Sequence, residues 1–237
     1  MSGIQGSSEL GRWPHQFLKQ YSDLSTSENA LPREDKRALR ELLLRARDSA
    51  QLRMKIARRS YVHPNGFVKM RLYESVYDRS QLRLHIWPEG SGTTDPGDIH
   101  DHRWSFRSWV LAGRLHEAVF QAGTGNILAK LRYVPIGRSM ENQLTEVGAV
   151  RVEQIQELAY EPDAAAHEGG VDRMHQFGNV GPRFSATLVL VGPPARAYSY
   201  VYREEPRPPL PSASRISTLT AYDVQDLLSD VIAFASL

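Results

Sequence analysis

Apolar positions near the start of the chain recur with a helical period. Trp13, Phe17 and Tyr21 fall four apart, and Pro14 suits a first-turn position. A second helix is expected from Pro32, with Glu34 and Asp35 in its positively polarised first turn. Leu39, Leu42, Leu43 and Ala46 form its apolar stripe, and helical character continues toward Ile56 and Ala57. From His63-Pro64-Asn65-Gly66 the pattern changes to short β-rich runs bounded by turn residues: Phe67–Tyr73, Gln81–Trp87, Ser108–Ala112, Leu115–Phe120, Ser185–Val191 and Ala197–Tyr202. Leu128–Val134 is a further candidate strand within the less clearly patterned stretch Gln121–Val150. Many short strands with Gly and Pro punctuation indicate an all-β sandwich or barrel.

The run Pro206-Arg207-Pro208-Pro209-Leu210-Pro211 has too few backbone donors for a sheet and reads as a surface strap. A terminal helix follows. Thr220 and Asp223 resemble a capping box, and Val224, Leu227, Leu228, Val231 and Ile232 supply one apolar face. The expected organisation is a helical extension over residues 1–62, a barrel over 63–205, and a strap with a C-terminal helix over 206–237.

Composition narrows the chemistry. Cysteine is absent, which excludes disulfides, thiolate metal ligands and a cysteine nucleophile. Basic residues crowd the first helices, but Glu34, Asp35, Glu41 and Asp48 are interspersed and the net charge is only +2. They read as a solvated face, with no nucleic-acid partner expected. No run approaches the roughly 18 to 20 apolar residues of a membrane span, so no membrane partner is expected either. Met1–Gly6 has neither the basic start nor the apolar core of a secretion signal, so a cytoplasmic location is expected. Exposed barrel edges and the amphipathic terminal helix leave a homodimer open.

The informative segment is Gly97-Asp98-Ile99-His100-Asp101-His102. In a strand, side chains two apart point the same way, so His100 and His102 present two imidazoles with Asp101 turned away. Imidazole is the commonest transition-metal ligand, and a third must come from a distant strand. His175, in Met174-His175-Gln176-Phe177-Gly178-Asn179, fits. His15, His63 and His85 read as surface or hydrogen-bonded structural residues, and His167-Glu168 as a loop from which either residue could approach the metal. Glu117 points to the face opposite His116. By strand parity Trp104 and Phe106 share the inward side with His102, where they either make an apolar, aromatic cavity wall or simply fill the barrel core.

A turn with Gly97 and Asp98, an H-x-H pair, Gly113 one strand later, and a second histidine some 70 residues on, with Asn179 four beyond it, together resemble the two motifs of the cupin superfamily. The resemblance covers roughly residues 65–202 and implies a double-stranded β-helix, or jelly-roll barrel, with a single metal ion. The glutamate ligand usual in cupins falls at Phe106, which leaves three neutral imidazoles. That pattern is similar to the cysteine dioxygenase branch. So are Leu84-His85-Ile86-Trp87-Pro88-Glu89-Gly90 before the first motif and Leu188-Val189-Leu190-Val191-Gly192-Pro193-Pro194 after the second.

The resemblance implies ferrous iron, although imidazole also suits zinc, copper, nickel and manganese. It implies dioxygen and a small-molecule substrate as partners. It also implies an arginine that grips a substrate carboxylate, for which Arg71 is the nearest match and Lys69 the next. The family's Ser-x-His-x-Tyr run is replaced by Thr187, Val189 and Val191, and its cysteine by Phe106. The hydroxyl that helps position dioxygen and substrate is therefore missing, which argues against cysteine as substrate and leaves the catalytic residues unnamed. Three readings stay open: a mononuclear non-haem iron oxygenase acting on a small anionic or aromatic molecule, a redox-neutral metal-dependent lyase, isomerase or hydrolase, and a non-enzymatic ligand-binding cupin.

Overall fold

The computed structural model describes residues 11–21, 30–63, 65–90, 97–135, 142–179, 181–204 and 217–237. The Pro206–Pro211 strap and the first ten residues lie outside the described residues. Four helices are described: α1 (Trp13–Gln20), α2 (Arg33–Asp48), α3 (Ala50–Ala57) and α4 (Ala221–Phe234). The helical run after Pro32 breaks at Ser49, whose backbone is extended and whose side chain accepts from the Leu52 amide to cap α3. The expected capping box of α4 is present. The Thr220 hydroxyl accepts from the Asp223 amide at 3.1 Å, and the Asp223 carboxylate accepts from the Thr220 amide at 2.7 Å.

The strands form two antiparallel sheets, the jelly-roll type of barrel that the sequence predicts. The first runs β1 (Tyr61–Val62), β2 (Val68–Glu74), β3 (Gln81–Trp87), β10 (Ser185–Val191), β5 (Phe106–Ala112) and β8 (His167–Gly169). The second runs β11 (Ser199–Arg203), β4 (Ile99–His100), β9 (Met174–Asn179), β6 (Leu115–Pro135) and β7 (Asn142–Tyr160). Ring contacts between Phe106 and His175, and between Trp87 and Phe177, cross from one sheet to the other.

The largest apolar core lies outside the barrel, between the first sheet and the helices. Alternate residues Met70, Leu82, Leu84, Ile86, Ala186, Leu188 and Leu190 meet Leu39, Leu42, Leu43, Val224 and Leu228 there. Burying a side chain of this size contributes about 1.5–3 kcal/mol. The residues between them, Lys69, Arg83, His85, Thr187 and Val189, face into the barrel.

Two differences from the expected elements have local causes. Leu128–Val134 belongs to β6, which runs unbroken from Leu115 to Pro135 against β7. β7 carries Glu146, Arg151, Glu153 and Glu157 and has little apolar alternation, so its pairing with β6 rather than its own pattern makes it a strand. Tyr200 and Tyr202 pack with Ile99, Leu128 and Val152 on the second sheet, whereas the helices pack beside the first.

Candidate metal centre

β4 is only two residues long, yet it fixes the site. His100 lies directly opposite His175 of β9, and on its other side opposite Val201 of β11. His102 follows just beyond the strand. The three rings lie 4.9–5.0 Å apart, centroid to centroid, and one nitrogen from each is within 4.8 Å of the others. His102 Nε2 and His175 Nε2 are 2.8 Å apart.

Hydrogen bonds behind the rings aim the nitrogens. His100 Nδ1 meets the Asp98 carbonyl at 2.9 Å, which puts the proton on Nδ1 and leaves the Nε2 lone pair for the centre. His175 Nδ1 meets Glu117 Oε1 at 2.6 Å, with the same consequence. Burial, and then the neighbouring His175, push His100 down to about 4; burial and the other two histidines push His102 well below the ordinary range. Three neutral imidazoles with converging lone pairs suit a divalent transition-metal ion, and His100, His102 and His175 are the residues that would hold it.

Glu117 forms the layer behind. It is fully buried, and its carboxylate also accepts from Arg173 through Nε and a terminal nitrogen, each at 2.8 Å, and from the Tyr160 hydroxyl at 2.8 Å. His167 Nε2 approaches Oε1 to 3.0 Å without good alignment. Burial alone would raise the Glu117 pKa, but the close approach of His167 and the hydrogen bonds from His175 and Arg173 overcome it and hold the group ionised. Glu117, His167 and His175 are also close enough to share an ion. The Arg173 guanidinium already occupies that carboxylate, and its positive charge would oppose a cation there. The three-histidine set is therefore the better site.

The remaining anticipated residues are divided. Phe106 lies 4.8 Å and Trp104 6.3 Å from the His102 ring, on the inner face with Val189 and Val191. Gly169 is opposite Phe106, and a Cβ there would come within 2.4 Å of the phenyl ring, so a larger residue would have to displace Phe106. Arg71 is engaged by Glu74 at 2.7 Å. Lys69 lies 5.4 Å from the Tyr61 ring centre and 5.6 Å from that of Trp104, with no ion-pair partner among the described residues.

Sequence reasoning undervalued four residues near the centre. His63, stacked on Phe67, accepts from the Asn65 amide at 3.2 Å, one of the two roles expected of it, and His85, tilted against Phe67, lines the barrel with its Nε2 unpartnered. His167 belongs to β8 rather than a loop, and Arg83 is 3% exposed. The only signal for Arg83 and His85 was alternation with Leu82, Leu84 and Ile86. That pattern looks the same whether the second face meets water or a barrel interior.

No protein-family model and no curated protein matches the sequence. Among solved structures, hydroxypropylphosphonic acid epoxidase from S. wedmorenis is 13% identical with a TM-score of 0.32, over 56% of this chain and 53% of its own. The capsular polysaccharide assembling protein CapF from Staphylococcus aureus is 15% identical with a TM-score of 0.32, over 86% of this chain and 44% of its own. A cupin-2 domain protein from Rhodospirillum rubrum is 15% identical with a TM-score of 0.27, over 71% and 76% of the two chains. The chain thus spans about half the length of the epoxidase and less of CapF. Likeness at this level assigns neither activity nor metal.

Proposed function

We propose that this chain is a cupin that binds one divalent metal ion through His100, His102 and His175 and acts as a non-haem iron oxygenase on a small organic acid. The observation that carries the reading is the convergence of three neutral imidazoles with no carboxylate among them. Such a donor set leaves the charge of a divalent ion uncompensated, which favours anionic partners. A ferrous ion held there would supply a common binding point for substrate and dioxygen.

The protein's own groups provide orientation and shelter. Glu117 and the Asp98 carbonyl keep protons on the outer nitrogens of His175 and His100. Trp104 and Phe106 form an apolar wall beside His102 that limits water and favours a flat or aromatic substrate body. Lys69, rather than the engaged Arg71, is the available cation for an acidic substrate group.

Loading the metal-free protein anaerobically with ferrous iron, then measuring oxygen uptake across small carboxylic and aromatic acids, tests the reading. Uptake stoichiometric with substrate loss, and absent from His102→Ala, is the expected result. Conversion of one of these acids without oxygen uptake would contradict the oxygenase assignment and favour redox-neutral chemistry at the same ion.

A further inference from the structure

One wall of the barrel carries more positive charge than its surroundings balance. Arg71 and Arg83 are direct cross-strand partners on β2 and β3, and Lys69 lies two residues from Arg71 on the same inner face. Like charges placed this way repel. Glu74 is the carboxylate that meets this group; it takes Arg71 at 2.7 Å and reaches Arg79 at 4.0 Å. Among the described residues no carboxylate lies within 4.0 Å of Lys69 or Arg83. The Arg83 Nε donates to the neutral Gln81 Oε1 at 2.7 Å and the guanidinium lies over the Trp104 ring, so its charge meets no carboxylate among the described residues.

The neighbouring polar groups are also unmet. His85 stands opposite Lys69 on one side and Thr187 on the other, so three adjacent strands present Lys69, His85 and Thr187 in one row. Both His85 Nε2 and Thr187 Oγ1 are buried without a hydrogen-bond partner, and leaving such groups unpaired costs about 1–3 kcal/mol each. Lys69 and His85 keep partial exposure, whereas Thr187 is fully buried. The Trp104 indole ties this wall to the metal centre. The Arg83 guanidinium carbon is 4.8 Å and Lys69 Nζ 5.6 Å from its ring centre, the Arg103 guanidinium carbon is likewise 4.8 Å away, and the His102 ring lies at 6.3 Å.

We propose that Lys69, Arg83, His85 and Thr187 form an oxyanion-binding site, and that the molecule acted on at the metal carries its carboxylate or phosphoryl group there. Two cations and two unmet polar groups on rigid strands match the charge and multiple acceptors of such a group. The indole beside them supports the part of the molecule that reaches toward the histidines. The assignment of this anion to a substrate rests on the metal reading; the anion site itself does not.

Thermal-shift titrations at constant ionic strength test it, with inorganic phosphate in one arm and acetate in the other. Wild type, Lys69→Met, Arg83→Met and the exposed-surface control Arg37→Met are compared, each with its metal content measured. The expected result is a saturable rise in Tm, retained in Arg37→Met and at least tenfold weaker in Lys69→Met and Arg83→Met. A stronger response to phosphate would identify a phosphoryl group, and a stronger response to acetate a carboxylate. If Arg83→Met does not fold, Lys69→Met decides alone, because removal of an unpaired cation should raise the anion-free Tm. His100→Ala should lose metal and keep the anion response, which separates the two sites. Equal responses in wild type and Lys69→Met, or no saturable response to either anion, would overturn the proposal whatever the metal content.

Discussion

The two faces of β3 and β10 are made by the same backbone and differ in almost everything else. Leu82, Leu84, Ile86, Ala186, Leu188 and Leu190 pack against helices and are at most 2% exposed. One residue along the pleat, Arg83, His85 and Thr187 turn to the barrel, where a cation lacks a counter-charge and two polar atoms lack partners. The first face satisfies every requirement of a folded core. The second violates several at once, which is the pattern expected where a sheet gives up stability to hold something else. Fold stability and chemistry are thus divided by strand parity, and each side can be disturbed separately.

The largest expected effect is on the packed face. Leu188→Ala should lower the free energy of unfolding by about 2–5 kcal/mol in urea titrations, because a fully buried side chain is removed and the sheet closes the gap only in part. Folded Leu188→Ala should still bind metal like the wild type; weakened binding would show that the two faces are coupled. Behind the metal centre, Glu117→Gln should weaken metal binding about 10- to 100-fold in chelator competition, since His175 loses the charged acceptor that fixes its proton. Unchanged affinity would remove Glu117 from the account.

On the barrel face the sign reverses. Lys69→Met should stabilise the anion-free protein by about 1 kcal/mol, because it removes a half-buried charge with no ion-pair partner among the described residues. The effect should depend on pH. Burial, and then Arg83, hold the Lys69 pKa well below its ordinary value in the folded protein, while the unfolded chain keeps that value. Between the two the unfolded state binds more protons, so wild-type stability rises with pH and its deficit against Lys69→Met narrows toward alkaline pH. A constant gap between pH 7 and 9.5 would contradict this. The smallest effect belongs to His116→Ala. This ring lies on the far side of β6, exposed and 3.5 Å from Glu157, and its loss should change stability by less than about 0.5 kcal/mol and leave metal binding intact.

How far the sequence could be read follows the same division. β3 and β10 were readable to the residue because apolar alternation or an unbroken apolar run is a local signal. Helix α4 was readable from its cap and stripe. β7 was not, because its residues are mostly exposed and it is held by pairing with β6. The three histidines were legible because their spacing within turn-bounded strands is itself a pattern. The partners of Glu117 lie 43 to 58 residues away in sequence, and nothing local announces them. Arg83 was hidden for a different reason. A polar residue alternating with leucines points away from the leucines, but the sequence does not tell whether water or a second sheet waits there.

The most direct measurement is the metal content of protein purified without added metal, by elemental analysis, for the wild type and for His100→Ala, His102→Ala and His175→Ala. One ion per chain in the wild type, with a large loss in each variant while the fold is retained, is the expected result. A wild-type level of metal in any of the three variants would contradict a centre built from these imidazoles.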